Sequence, residues 1–340
     1  MNKLFFIFTI IIFTSCNNKK FPIHEFENVR EIKSEGLLDE EFVFVGSNML
    51  FMGKDSSLIF QNFNGDSLIT KVNMKNKEIS HFLPIGNGAN EFVNINVTQA
   101  KTDSTLLFQD MNSAKIYTLN AISGEMSVHF NYNNHRCMNV LNMNNHYIST
   151  GLFKEGMFAI WNNNGFSNYV YKYPEDNFGD DKMLYKAMAY QGKIVVNNKL
   201  DRLLFCSSKF SYFELFQLVN ERLESIKKEY RGKYKYDISN DENFVFAHPL
   251  EDNVEGFIDA YSTDEYIYML YSGRSIEDPG ISTHEQACLS NQILVYDWKG
   301  NLIIRYTTDV DLKHICVSDN GKTIYAIAYN PNPVLVYFQL

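Results

Sequence analysis

Strand formers gather along the chain in short runs in which apolar and polar residues alternate, the period-two pattern of half-buried β-strands. The runs come in pairs, and the pair recurs six times. Its members are Met49–Met52 with Leu58–Phe63, Thr105–Gln109 with Lys115–Asn120, and His146–Gly151 with Met157–Trp161. Arg202–Cys206 with Tyr212–Leu218, Tyr266–Tyr271 with Gln292–Trp298, and Thr323–Ala328 with Val334–Leu340 complete the series. A further short strand candidate precedes each pair: Phe42–Val45, Phe92–Thr98, Met138–Leu141, Lys193–Asn197, Gly256–Ala260 and Lys313–Val317. Five of the pairs are followed by a turn and an outer strand, at Ser67–Asn73, Glu125–Phe130, Phe166–Tyr173, Arg222–Tyr230 and Asn301–Thr307. Repeats of this size built from strands predict an all-β fold, a six-bladed β-propeller of four-stranded antiparallel blades.

The sixth unit has no outer strand before Leu340, which would leave an unpaired sheet edge. The unassigned strand candidate Ile23–Lys33 fits that gap, so the N-terminal strand is expected to close the last blade. Two stretches exceed a minimal blade. Met183–Tyr190 reads as a short helix or an added strand, and Ser272–Asn291 separates the two strands of the fifth pair by a long insertion. Long insertions in compact folds are commonly functional or disordered.

Composition sharpens this picture in three ways. The 340 residues are 45% hydrophobic with 27 Phe, 21 Tyr and 7 Pro, which suits a large strand-rich core. The net charge of −9, with no basic cluster, excludes a nucleic-acid backbone as partner. Residues 1–15 read as a signal peptide: Lys3, then the apolar run Leu4–Phe13, too short to span a bilayer. The segment ends in Phe13-Thr14-Ser15-Cys16, similar to the lipobox of bacterial lipoproteins. That likeness implies cleavage before Cys16 and lipidation of it; an ordinary secretory peptide with an incidental cysteine is the alternative. Residues 16–22 then form a lipidated leader, and residues 23–340 the propeller. Several acyl chains on one residue would hold a soluble domain at a membrane. Asn17-Asn18-Lys19-Lys20 carries no acidic run of the kind that signals surface export, so an outer-membrane lipoprotein facing the periplasm is expected.

Further stretches resemble the TolB-like six-bladed propeller lipoproteins of Bacteroidetes. They are Ile85-Gly86-Asn87-Gly88-Ala89-Asn90-Glu91-Phe92, Tyr268-Met269-Leu270-Tyr271-Ser272-Gly273-Arg274, the run from Ile293 to Asn301, and Lys322 to Ala328. The resemblance spans the chain after the leader and is best in the last hundred residues or so. At Ala89 and Asn90 the glycine-rich turn departs from the commoner Gly-x-Gly-Pro-Gly-Glu-Phe form. The resemblance implies a fold, not a reaction.

Searching for chemistry returns little. No Walker loop, nucleophile elbow, His-Glu-x-x-His pair or EF-hand loop occurs, and no cofactor is implied. The eight histidines show no ligand spacing, so no metal site is expected. Cys137, Cys206, Cys288 and Cys316 are expected to be free thiols. Strand order predicts that loops joining second and third strands share one face with the links between blades. Ser272–Asn291, Gly86–Glu91, Asn133–Arg136, Asp176–Lys182 and His248–Glu255 would then ring one mouth of the channel. Arg136, His248, Tyr271, Arg274, Asp278, His284 and Glu285 are the candidate ligand contacts there, with Arg274 foremost; Glu91 is expected to cap its own turn instead. The expected function is a monomeric, lipid-anchored binding or scaffold module for a glycan, peptide or envelope protein. The alternative is a propeller enzyme, lactonase-like or polysaccharide-lyase-like, with its site at the same mouth.

Overall fold

Residues 27–37, 47–53, 56–62, 65–100, 104–133, 135–176, 178–179, 182–230, 234–241, 244–329 and 332–340 are described by a computed structural model. The expected signal peptide, Cys16, the leader, the strand candidate Phe42–Val45 and the first residues of Ile23–Lys33 lie outside them. The chain begins with β1 (Val29–Ile32) and β2 (Glu35–Gly36). Blade 1 is β3 (Ser47–Met52), β4 (Ser57–Asn62), β5 (Ser67–Asn73) and β6 (Ile79–Pro84). Blade 2 is β7 (Ile95–Ala100), β8 (Thr105–Asp110), β9 (Lys115–Asn120) and β10 (Met126–Asn131). Blade 3 comprises β11 (Cys137–Met143), β12 (His146–Gly151), β13 (Phe158–Asn162) and β14 (Gly165–Val170). Helix α1 (Met183–Ala189) leads to blade 4, β15 (Gly192–Asn197), β16 (Arg202–Ser207), β17 (Tyr212–Val219) and β18 (Arg222–Tyr230). A separate hairpin, β19 (Tyr236–Asp241) and β20 (Phe244–Pro249), precedes blade 5. Blade 5 holds β21 (Phe257–Ser262), β22 (Tyr266–Tyr271), β23 (Ser290–Asp297) and the first half of β24 (Leu302–Val317), with helix α2 (His284–Ala287) inside the insertion. The second half of β24, β25 (Thr323–Tyr329) and β26 (Pro333–Gln339) make blade 6. Every blade is an antiparallel meander.

Blades 2 to 6 follow the strand frame read from the sequence. Blade 1 does not: Ser67–Asn73 is its third strand, and Ile79–Pro84 supplies the outer one. Closure also uses other residues than Ile23–Lys33 as a block. β2 pairs antiparallel with β26, Glu35 opposite Tyr337 and Gly36 opposite Val336, and the Leu37 amide donates to the Leu335 carbonyl. β1 instead runs parallel to β24, Val29 opposite Arg305, on the outer edge of blade 5. The N-terminal segment is therefore a strap over two blades. Blades 5 and 6 need it less than a looped junction would, because β24 passes from one to the other as a single strand.

Burial explains why the blades stand face to face. A middle strand is covered on both sides, so β16 (RLLFCS) is buried along all but its first residue. The outer strand β18 (RLESIKKEY) buries only Leu223. Six apolar clusters sit between consecutive blades. Ile59 and Ile69 meet Phe92 and Phe108, Leu107 and Ile116 meet Trp161, and Ile148 and Phe158 meet Phe205. Phe213 meets Phe257, Leu270 meets Ile324, and Ile327 and Leu335 meet Leu58 and Phe60 of blade 1. The last pairing completes the ring. Each such fully buried side chain contributes about 1.5–3 kcal/mol.

Cys137, Cys206 and Cys316 are buried free thiols, and Cys288 is a partly exposed one. Among the described residues no helix is long and apolar enough to cross a membrane.

Candidate functional site

Inner strands β3, β7, β11, β15, β21 and the second half of β24 surround the propeller axis. A cavity of about 630 Å³ opens at one end of it, where the inner strands begin. Lys193, Lys313 and His314 enter it from the starts of inner strands, Lys209 and Cys288 from loops between second and third strands, and Glu255 from the link into blade 5. This is the face that strand order assigns to those loops and links. Three lysines thus gather at one mouth of a chain whose net charge is −9.

Lys193 and His314 converge on a buried carboxylate, Asp259. Asp259, 7% exposed, is 3.4 Å from Lys193 Nζ and 3.3 Å from His314 Nδ1, and accepts from the Ile315 amide. Burial pushes the Asp259 carboxyl up, but Lys193, His314 and the Ile315 amide outweigh it and hold the pKa below the ordinary carboxylate value. Burial drives the His314 pKa down despite Asp259. Its Nε2 is buried without a hydrogen-bond partner.

At the rim, Glu255, His284 and Cys288 place one ligand atom each within 4.8 Å of one another. His284 opens α2 and Cys288 caps its C-terminal end, with Nδ1 and Sγ 3.4 Å apart; Nδ1 is 3.8 Å from Glu255 Oε1. Thr283 caps α2 by accepting from the Gln286 amide, and Ser272 Oγ donates to the Ala287 carbonyl at 2.6 Å. Backbone bonds from Glu255 to the Arg274 carbonyl and from Gly273 to the Glu255 carbonyl tie the link to the insertion. Burial, then Glu255, raises the Cys288 thiol to about 11. Burial raises Glu255 against the pull of His284 and Lys209.

The residues expected at this mouth divide. His284 belongs to the rim cluster, and Glu285 is 3.9 Å from Lys313 Nζ. Arg136 is exposed on the link into blade 3. Arg274 lies in the insertion, where its guanidinium grips Asp311 at 2.6 and 2.8 Å and so anchors the insertion to β24. Asp278 accepts from the Ser275 amide within a local turn. Two placements are corrected. Tyr271 is 4% exposed and bonded to Ser211 Oγ at 2.6 Å, because a ring between blades 4 and 5 is core. His248 is not in a loop but in β20, stacked on Phe246 and bonded to Ser239. Glu91 does cap its turn: its carboxylate accepts from the Gly88 amide at 2.7 Å and lies where a Cβ on Gly86 would be. Sequence reading missed Glu255, Cys288, Lys209, Lys313, Lys193, Asp259 and His314. Only the His284-x-x-x-Cys288 spacing, one helical turn, was there to be seen.

Fold and cavity together define a six-bladed propeller with a pocket at one mouth of its channel. Residues 25–320 match the family model described as TolB-like 6-blade propeller-like, and the chain belongs to that family. Among solved structures, a member of the duf4221 family from Bacteroides vulgatus is similar at 12% identity and TM-score 0.54, over 91% of this chain and 96% of that one. Kuenenia stuttgartiensis hydrazine synthase is similar at 11% identity and TM-score 0.48, over 90% of this chain and 99% of that one. The Neurospora crassa Pan2 WD40 domain is similar at 9% identity and TM-score 0.48, over 91% and 95%. Comparison with curated proteins finds no match.

Proposed function

We propose that this is a binding module of the bacterial cell envelope that takes a small anionic ligand, or an anionic group of a glycan, peptide or envelope protein, in the channel mouth. The observation that carries this is the gathering of Lys193, Lys209 and Lys313 around one cavity in a chain of net charge −9. The lining sets these three lysines against one carboxylate, Glu255, and an excess of one sign raises the local concentration of opposite charge. Calorimetric titration with uronate oligosaccharides and acidic peptides at low salt tests it. Lys209→Glu and Lys313→Glu should each weaken binding about tenfold or more, and binding that ignores both substitutions refutes the cavity as the site.

The anchor belongs to the same proposal. Lys3, Leu4–Phe13 and the Ser15-Cys16 junction support a Bacteroidetes-type lipoprotein held at the periplasmic side of the outer membrane. Cys16→Ser should lose detergent-phase partitioning; equal partitioning of the two forms would rule out lipidation.

A second reading, a propeller enzyme, draws on one observation. His314 has a carboxylate on Nδ1 and borders the cavity, an arrangement that orients an imidazole, although its buried Nε2 would have to turn toward the cavity to act as a base. Turnover of a lactone or a uronate polymer that is lost in His314→Asn would favour it.

A further inference from the structure

The rim cluster brings together three donor types from two segments of the chain: the carboxylate of Glu255, the imidazole of His284 and the thiol of Cys288. We propose that these three residues bind a zinc-type divalent cation at the lip of the channel. A tetrahedral ion bonded at about 2.0–2.3 Å keeps its ligand atoms roughly 3.3–3.7 Å apart. Two of the observed separations, 3.4 Å from His284 Nδ1 to Cys288 Sγ and 3.8 Å from His284 Nδ1 to Glu255 Oε1, already lie close to that range, and the third, between Glu255 and Cys288, is within 4.8 Å.

Donor chemistry selects the ion. Thiolate with imidazole suits Zn²⁺ and Co²⁺, whereas Ca²⁺ and Mg²⁺ take oxygen ligands. The scaffold is already in place. His284 and Cys288 are set by one capped helical turn, and Glu255 by backbone bonds on both sides of its peptide unit. Ligands fixed on bonded backbone lose little freedom when the ion arrives. Three protein ligands leave a fourth position, the open arrangement in which zinc takes a water or an exogenous group. Glu255 and Cys288 both line the cavity, so the ion would sit at its edge.

The test uses the metal alone, so its failure leaves the anionic-ligand proposal intact. The full chain, purified in detergent, is titrated with Co²⁺ under reducing conditions. One equivalent should bind with a thiolate-to-cobalt charge-transfer band and the intense visible bands of tetrahedral cobalt, and Zn²⁺ should displace it. Cys288→Ser should abolish the charge-transfer band. His284→Ala, at a side chain 52% exposed and so unneeded for folding, should weaken binding by at least about tenfold. No charge-transfer band, an equal band in Cys288→Ser, or undiminished affinity in His284→Ala would each overturn the proposal.

Discussion

Asp259 is the residue on which the channel's inner electrostatics turn, since it neutralises Lys193 and orients His314 at once. Asp259→Asn removes the negative charge and leaves a partly buried ammonium without its counter-ion. Breaking a buried pair from one side costs on the order of 3 kcal/mol, which urea unfolding at pH 7 would register. The same group of residues sets a pH dependence. The His314 pKa in the folded state lies below its ordinary 6.5, so from about that pH downward the unfolded chain binds more protons. Stability is lost as pH falls through that window. Asp259, held below its ordinary 3.8, adds a further loss of the same sign at still lower pH. Between pH 7 and 5 the urea midpoint should fall, and His314→Asn should lessen the fall. His135, also lowered by burial, keeps some of it. An equal slope in the two proteins would mean that the fold does not lower the His314 pKa.

At the scale of elements, one close approach holds the site together. An ideal Cβ on Gly256 would lie 2.1 Å from the Phe210 carbonyl oxygen and 2.4 Å from that of Ser207, so the link into blade 5 presses on the second-to-third-strand loop of blade 4. That contact fixes Glu255 at the rim. Gly256→Ala should cost about 1–3 kcal/mol by overpacking and weaken Co²⁺ binding as well; loss of neither would show that the link yields freely. Here the limits of sequence reading have a physical cause. Strand pairs in blades 2 to 6 were legible because middle strands are buried on both faces and outer ones alternate. Blade 1 misled because Ile79–Pro84 is an outer strand with only Leu83 buried, so its apolar signal is weak. The rim cluster was hidden because Glu255 joins His284 and Cys288 through tertiary contact, which no local spacing records. The hairpin of β19 and β20 left His248 in a strand where the repeat predicted a loop.

For the whole molecule, the strap decides the integrity of the ring. Ile32 is buried in the cluster between blades 5 and 6, and Leu37 packs on the one between blades 6 and 1. Deleting residues 27–37 removes both contacts and leaves β26 with an open edge, a loss of about 3 kcal/mol or more from the apolar terms. Thermal unfolding should shift down as one transition, and an unmoved midpoint would make the strap dispensable. That an N-terminal segment closes the last blade was legible from the missing strand. Which residues do so was not, because β2 is two residues long and carries no strand pattern of its own. The pairing of Gly36 with Val336 also sets an order in time. Residues about three hundred apart in the chain must meet, the most costly kind of contact to form by diffusion of the chain ends. While the protein is being synthesised, its first strand has to wait for nearly everything that follows. Until then the opening segment stays unpaired and open to other chains and to chaperones.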